Sequence, residues 1–171
     1  ETPFPGALED NYAALKWMNL NAASLGIDPK RIAIGGESAG GGHAAMLAIA
    51  ARDRGEYALA FQLLIYPMLD DRTGSTKPAP EHIGHFLWNS GSNRFGWESL
   101  LGMAPGSANP PAGSVPARVK DLSGLPPSKL QLEGEGAPHA HPCQVGDGVT
   151  QRRCVLRAGR AAACTQAVNP L

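Results

Sequence analysis

A serine set between small residues is the feature of this chain whose residue types and spacing could do chemistry. The run Gly36-Glu37-Ser38-Ala39-Gly40 follows a β-branched stretch and precedes a long run of helix-forming residues. This order predicts a sharp strand-to-helix turn that strains the backbone of Ser38. Such a turn needs almost no side chain two positions before and after the serine, and Gly36 and Gly40 meet that need. We therefore predict that Ser38 is a nucleophile raised above a sheet.

The predicted helix after this turn adds a second part of the same chemistry. The backbone amide of Ala39 lies at the start of that helix, where the helix dipole is positive. An oxyanion that forms on a substrate carbonyl can accept a hydrogen bond from such an amide. Glu37 is a tempting catalytic carboxylate, but its place on the turn favours a structural role through hydrogen bonds.

A glycine-rich turn between a strand and a helix can also be a plain connection or a phosphate-binding loop. The pattern Gly-x-x-x-x-Gly-Lys-Ser/Thr does not occur in the sequence, and Gly-x-Gly-x-x-Gly is not matched at the turn. These absences disfavour a phosphate site. A purely structural turn stays open as the alternative to a nucleophile.

The residues around the turn predict helices and strands in alternation. Predicted helices cover 7–25, 39–54 and 93–102, and predicted strands cover 31–34, 59–66 and 128–132. The first helix rests on apolar residues at three- and four-residue spacing, such as Leu8, Tyr12 and Leu15, and Gly26 is predicted to end it. The near-continuous apolar run 59–66 is typical of a strand covered on both faces. The alternation predicts an α/β domain with a parallel sheet flanked by helices.

Composition and charge narrow the classes of function. The 171 residues suffice for one domain with a sizeable core, and 15 basic and 15 acidic residues give a formal net charge of +0. A neutral chain is not expected to bind nucleic acid or an anionic membrane. No apolar run approaches the length of a membrane span, so we expect a cytoplasmic protein.

The composition also changes along the chain. All ten aromatic residues lie at or before Trp97, whereas all three cysteines lie in the final stretch. These cysteines show no metal-ligand spacing. From Gly134 onward the sequence lacks the aromatic residues and isoleucines that build a core. We therefore predict a folded domain over 1–133 and an atypical, poorly ordered tail over 134–171.

The sequence from Glu1 to about Pro127 resembles bacterial esterases of the hormone-sensitive-lipase-like family within the α/β-hydrolase fold. The matching stretches are 3–10, 25–32, 35–41, 63–67 and 121–127. The resemblance implies hydrolysis of a short-chain, small-molecule carboxylic ester through an acyl-enzyme, with no metal or organic cofactor. It also implies a partial α/β-hydrolase fold, because the chain starts after the point where the first strands of the family's sheet lie.

Members of that family also carry three further features. A His-Gly-Gly-Gly motif precedes the turn that contains the serine (the nucleophile elbow), an aspartate follows the strand after Pro126-Pro127, and a histidine comes later. None of the three has a match in the corresponding part of this sequence. No residue is therefore assigned as the triad acid or base. The stand-ins considered for these roles are Asp70, Asp71, Glu135, His43, His82 and His85, and His139 and His141 lie in a segment unlike the family pattern.

Three functions stay open at this point. The chain is a serine carboxylesterase acting through Ser38, an inactive fragment truncated at its start and frame-changed near its end, or a non-enzymatic binding relative of the fold. The change in composition toward Ala, Gly, Arg and Pro favours the frame change. A short parallel sheet with an exposed edge also predicts poor solubility.

Overall fold

A computed structural model of the chain describes residues 2–79, 81, 84, 85 and 88–131, and the backbone of 154–156. Its helices are α1 (Gly6–Leu20), α2 (Ala22–Leu25), α3 (Ala39–Arg54) and α4 (Ser90–Leu101). Its strands are β1 (Ala33–Glu37), β2 (Phe61–Ile65), β3 (Ser128–Gln131) and β4 (Cys154–Leu156). Two short 3-10 helices cover Pro29–Arg31 and Pro116–Arg118.

The four strands form one sheet in the order β1-β2-β3-β4. β1 pairs with β2 and β2 with β3 in parallel, and Leu64 of β2 lies beside both Gly36 and Leu130. These pairings confirm the predicted parallel α/β sheet, in which β1 is the edge strand of the described part. β4 pairs antiparallel with β3 and was not predicted. The other residues of 134–171 lie outside the described residues.

The first helix packs its apolar stripe onto α3. Leu8, Tyr12 and Leu15 are buried in one cluster with Met46 and Leu47 of α3. This confirms the spacing argument, because residues three and four apart share one face of a helix. Full burial of such aliphatic side chains is worth about 1.5–3 kcal/mol each. The packing fixes α3, and with it the turn that precedes α3.

The predicted single helix 7–25 is wrong at Asn21, where the chain divides into α1 and α2. The backbone there has φ −103° and ψ 11°, outside the helical range. The Asn21 side-chain amide donates to the Trp17 carbonyl at 2.8 Å, and Asn19 does the same to Leu15 at 2.9 Å. Asparagine side chains compete with backbone amides for carbonyls and so favour helix ends. Gly26, with φ 65°, ends α2 as predicted.

The predicted strand 31–34 is wrong at both ends. Arg31 belongs to a 3-10 helix that Asp28 caps by accepting the Lys30 amide at 2.9 Å. The strand proper begins at Ala33 and continues through the glycines to Glu37. Glycines weaken strands on propensity alone, but here the ladder with β2 holds them in place. The nucleophile turn therefore follows directly on a paired strand.

The other predicted elements lie near their expected places. The helix 39–54 is confirmed as α3, and Gly55 ends it with φ 66°. The strand 59–66 is shorter as β2 and ends before Tyr66. α4 begins at Ser90 rather than at 93, because the Asn89 side chain caps it by accepting the Ser92 amide at 2.9 Å. β3 confirms the third strand over its described residues.

Candidate active site

Ser38 occupies the strained turn between β1 and α3. Its backbone has φ 53° and ψ −119°, and Ser38 is one of two non-glycine residues with positive φ in the described ranges. Such a conformation costs about 1–3 kcal/mol for a residue with a side chain and persists only where its surroundings impose it. The predicted strain is confirmed. The Ser38 side chain makes no capping hydrogen bond to α3, so the helix does not engage its hydroxyl.

The glycines on either side of Ser38 face unequal steric demands. A Cβ added to Gly36 would lie 2.2 Å from the carbonyl oxygen of Gly40, closer than any real contact. A Cβ added to Gly40 would meet nothing within 4 Å among the described residues. The steric argument is therefore confirmed at Gly36 and wrong at Gly40. The close contact is therefore between the Cα of Gly36 in β1 and the backbone of the first turn of α3, and of the two glycines only Gly36 lacks room for a side chain.

Hydrogen bonds fix the backbone of Ser38 on both sides. Its amide donates to the Ile65 carbonyl at 3.0 Å, and its carbonyl accepts from Met68 at 3.0 Å and Gly42 at 3.2 Å. The Ser38 amide is used in the sheet, whereas the next amide along, that of Ala39, is the one that the sequence predicts as the oxyanion donor. Ala39 is exposed and begins α3, where an amide has no partner within the helix.

Glu37 is held by a tyrosine from the next strand. The Tyr66 hydroxyl donates a hydrogen bond to Oε1 of Glu37. Tyr66 is the second non-glycine residue with positive φ, 32°, and follows β2 directly. This contact supports the structural role expected for Glu37. The tyrosine itself was missed, although Tyr66-Pro67 at the end of an apolar run was the available signal.

Asp70 and Asp71, weighed as stand-in acids, are both engaged in ion pairs. Both are buried, with exposures of 1% and 0%. Arg72 donates to both oxygens of Asp70 at 2.7 Å, and Arg118 donates to both oxygens of Asp71 at 2.8 Å. Burial acts to raise the pKa of Asp70, but Arg72 and Lys77 outweigh it and hold that pKa below its ordinary value. These ion pairs hold the loop that follows β2, and the pair with Arg118 joins that loop to the second 3-10 helix.

The histidines do not reach the nucleophile in the described part of the chain. No hydrogen bond joins the Ser38 hydroxyl to an imidazole there. His43 lies on α3 with Nδ1 buried and unpartnered, and burial lowers its pKa. His85 contacts the Glu81 carbonyl through its ring nitrogen. The other candidates, Glu135, His82, His139 and His141, lie outside the described residues.

A cavity of about 430 Å³ opens beside the edge strand β1. Residues of α1, β1 and α3 line it, with Met18, Ile34, Leu47 and His43 among them. Ser38 is not part of its wall. His43 thus lines a space whose wall does not include Ser38, and no hydrogen bond joins it to Ser38 in the described ranges, which argues against its use as the base.

No group of three or more His, Cys, Asp or Glu side chains among the described residues could hold a metal ion. No helix in the same ranges is long and apolar enough to cross a membrane.

The order of strands, the strained serine and the glycine contact together define a tight strand-to-helix turn on a parallel sheet, the geometry expected of a nucleophile elbow. A sequence profile of the α/β-hydrolase fold matches residues 1–137. The chain therefore belongs to the α/β-hydrolase fold family, which confirms the resemblance seen in the sequence.

Curated relatives include bacterial esterases. Carboxylesterase NlhH of Mycobacterium tuberculosis is 54% identical over 67 residues, which cover 39% of this chain and 21% of that protein. Esterase LipI of the same organism is 35% identical over 144 residues, or 78% of this chain and 41% of that protein. The chain thus spans less than half the length of these relatives.

Solved structures give the same picture. A bacterial heroin esterase superposes with a TM-score of 0.69 at 42% identity, covering 77% of this chain and 42% of that chain. A Pyrobaculum calidifontis esterase superposes with a TM-score of 0.63 at 34% identity, covering 75% and 42%.

Proposed function

We propose that this chain carries the nucleophile of a serine carboxylic-ester hydrolase, and that Ser38 is that nucleophile. The observation that carries the proposal is the strained Ser38 backbone between β1 and α3, held from both sides by the sheet and the helix. Relatives with esterase names at 35–54% identity support the reaction class. The substrate class is a small-molecule ester with a short acyl chain.

The chemistry follows from the two groups at the turn. The Ser38 oxygen attacks the ester carbonyl carbon, its proton passes to a base, and the carbonyl oxygen becomes an oxyanion that accepts from the Ala39 amide. The carbon–oxygen bond to the alcohol then breaks, and the alcohol leaves with the proton. Water attacks the acyl-enzyme by the same route and releases the carboxylic acid and free Ser38.

The base sets the expected rate. No imidazole contacts Ser38 in the described ranges, so with the described residues alone the hydroxyl is positioned but poorly activated. Loss of the base from a serine triad lowers kcat by about 10⁶-fold in subtilisin, leaving the contribution of the oxyanion donors and of binding. We therefore expect acylation of Ser38 by reactive esters with little turnover.

Labelling with a fluorophosphonate tests the nucleophile directly. The wild-type chain should gain one adduct by intact mass, and peptide mapping should place it on Ser38. Ser38→Ala should remove it. Ser99→Ala, which alters an exposed serine of α4, is the matched control and should label like wild type. Equal labelling of wild type and Ser38→Ala would reject Ser38 as the nucleophile.

Hydrolysis assays separate the remaining functions. If the chain releases more than one equivalent of p-nitrophenol from p-nitrophenyl acetate, it is a working esterase. A stoichiometric burst that then stops indicates an acylated but inactive fragment. A binding relative would show neither, but would shift its thermal unfolding with ester analogues.

A further inference from the structure

Pro67 interrupts the hydrogen-bond ladder between β1 and the end of β2. The ladder is regular up to the bond from the Ser38 amide to the Ile65 carbonyl. In a regular parallel ladder, the Ser38 carbonyl would next accept the amide of residue 67. Proline has no amide hydrogen, so this bond cannot form. The carbonyl of the candidate nucleophile therefore needs another donor.

The donor is the amide of Met68, which reaches the Ser38 carbonyl because the chain bends at Tyr66. The Met68 amide donates to the Ser38 carbonyl at 3.0 Å, so the segment that follows β2 contributes one residue more than the ladder requires. An extra residue on one strand is a β-bulge, and it bends the strand that contains it. Here the bend coincides with the positive φ of Tyr66, 32°. The two strained residues, Ser38 and Tyr66, thus face each other across one distorted ladder step.

The bulge also packs directly against the first turn of α3. A Cβ added to Gly41 would lie 2.8 Å from Cβ of Pro67, and one added to Gly42 would lie 2.4 Å from the Met68 carbonyl oxygen. The first turn of α3, which contains the proposed oxyanion donor, rests directly on these residues. A shift of the bulge would therefore move both the Ser38 backbone and the Ala39 amide.

Hydrogen bonds from both its amide and its hydroxyl hold Tyr66 in its strained conformation. Its amide donates to the Gln131 carbonyl at 2.6 Å, which joins the bulge to β3. Its hydroxyl donates to Glu37, the residue before Ser38. Tyr66 is thereby connected to the strand on either side of it. The phenol contact runs back to the same turn that the bulge supports.

We propose that Tyr66 is a positioning residue for the Ser38 nucleophile, and that its hydroxyl, bonded to Glu37, keeps the bulge and the elbow in register. The catalytic consequence rests on the function proposed above. The geometric consequence does not, because it concerns the Met68–Ser38 hydrogen bond alone. Glu37 acts here only as the acceptor for the tyrosine.

The test compares Tyr66→Phe with Tyr57→Phe, which removes a hydroxyl far from the elbow and is the matched control. Tyr66→Phe should slow fluorophosphonate labelling of Ser38 by about fivefold, the rate equivalent of one net hydrogen bond. It should also speed hydrogen exchange of the Met68 amide by a similar factor, measured by NMR. Amides at the centre of α3, such as that of Leu47, should exchange as in wild type.

Variants of the acceptor sharpen the test. Glu37→Gln keeps a carbonyl oxygen that accepts from the phenol, so Ser38 labelling and Met68 amide exchange should stay near wild type. Glu37→Ala should behave like Tyr66→Phe. The double variant Tyr66→Phe/Glu37→Ala should be no slower than either single change, because both remove the same hydrogen bond.

Each outcome decides one of the two proposals. Unchanged Met68 exchange in Tyr66→Phe overturns the positioning role, and so does an equal rise at Leu47, which would indicate general destabilisation. If wild-type Ser38 takes no label, the proposed function fails while the exchange comparison still decides the role of Tyr66.

Discussion

Gly36 and Gly40 lie against each other at the elbow, but only one of them needs to be glycine. A Cβ on Gly36 would lie 2.2 Å from the Gly40 carbonyl oxygen, and a Cβ on Gly40 would point into open space within the described structure. The elbow is tight because β1 passes directly over the first turn of α3. Its narrowest point is the backbone contact between these two residues.

Alanine at the two positions should therefore have opposite effects. Gly36→Ala should lower the free energy of unfolding by several kcal/mol and abolish labelling of Ser38, because backbone must move to admit the methyl group. Gly40→Ala should keep the fold and gain up to about 1 kcal/mol, since alanine is the better helix former. Urea unfolding and fluorophosphonate labelling measure both. Equal destabilisation by the two changes would contradict the contact.

Asp70 should make the fold sensitive to acid. Its pKa in the folded chain lies below the ordinary value, so its contribution to stability is complete above the unfolded pKa of about 3.9. That contribution is lost as the pH falls through the lower, folded pKa. We expect the difference in unfolding free energy between wild type and Asp70→Asn to be largest at pH 5–7 and to shrink toward pH 2.

Urea titrations at several pH values check the prediction for Asp70. Asp10→Asn, on the exposed face of α1, serves as the control and should change stability little throughout. A difference between wild type and Asp70→Asn that stays constant from pH 7 to pH 2 would show that the ion pair with Arg72 adds nothing.

His43 should make the fold sensitive to mild acid. Burial lowers its folded pKa below the unfolded value of about 6.5, so the unfolded chain binds a proton first as the pH falls. Stability should therefore fall as the pH drops from about 6.5 toward the folded pKa. His43→Leu should remove this slope and leave stability at pH 8 equal or higher, because the unpartnered Nδ1 is gone.

The control for His43 is His85→Gln, which changes a histidine on the exposed surface. Urea midpoints between pH 8 and pH 5 measure the slope for each protein. If His43→Leu retains the wild-type slope, another group is responsible for it.

The edge of β1 that is unpaired in the described sheet should promote self-association. Ala33 and Glu37 are exposed at this edge of the described sheet, beside the 430 Å³ cavity. Unpaired strand edges pair with other chains unless a charge blocks them. We expect soluble aggregates in size-exclusion chromatography with light scattering, and more monomer for Ala33→Lys. Ala13→Lys, on exposed α1, adds the same charge elsewhere and should leave aggregation unchanged.

The elements with a strong local signal were predicted well from the sequence. α3 and the apolar stripe of α1 follow from residue spacing, and the parallel pairing of β2 follows from its long apolar run. The boundaries of β1 were wrong, since glycines have low strand propensity and only pairing with β2 keeps Gly35 and Gly36 extended. The break at Asn21 arises from side-chain hydrogen bonds that a periodic pattern does not contain.

At the site, the sequence alone determined the strained turn at Ser38 and the family, because a strained serine needs a recognisable local order of strand, small residues and helix. Tertiary structure alone decided which groups surround it. It paired Asp70 and Asp71 with arginines, placed His43 in the wall of a cavity that Ser38 does not line, and brought Tyr66 to Glu37. These contacts join residues up to 47 positions apart, and such distances depend on how the strands lie side by side.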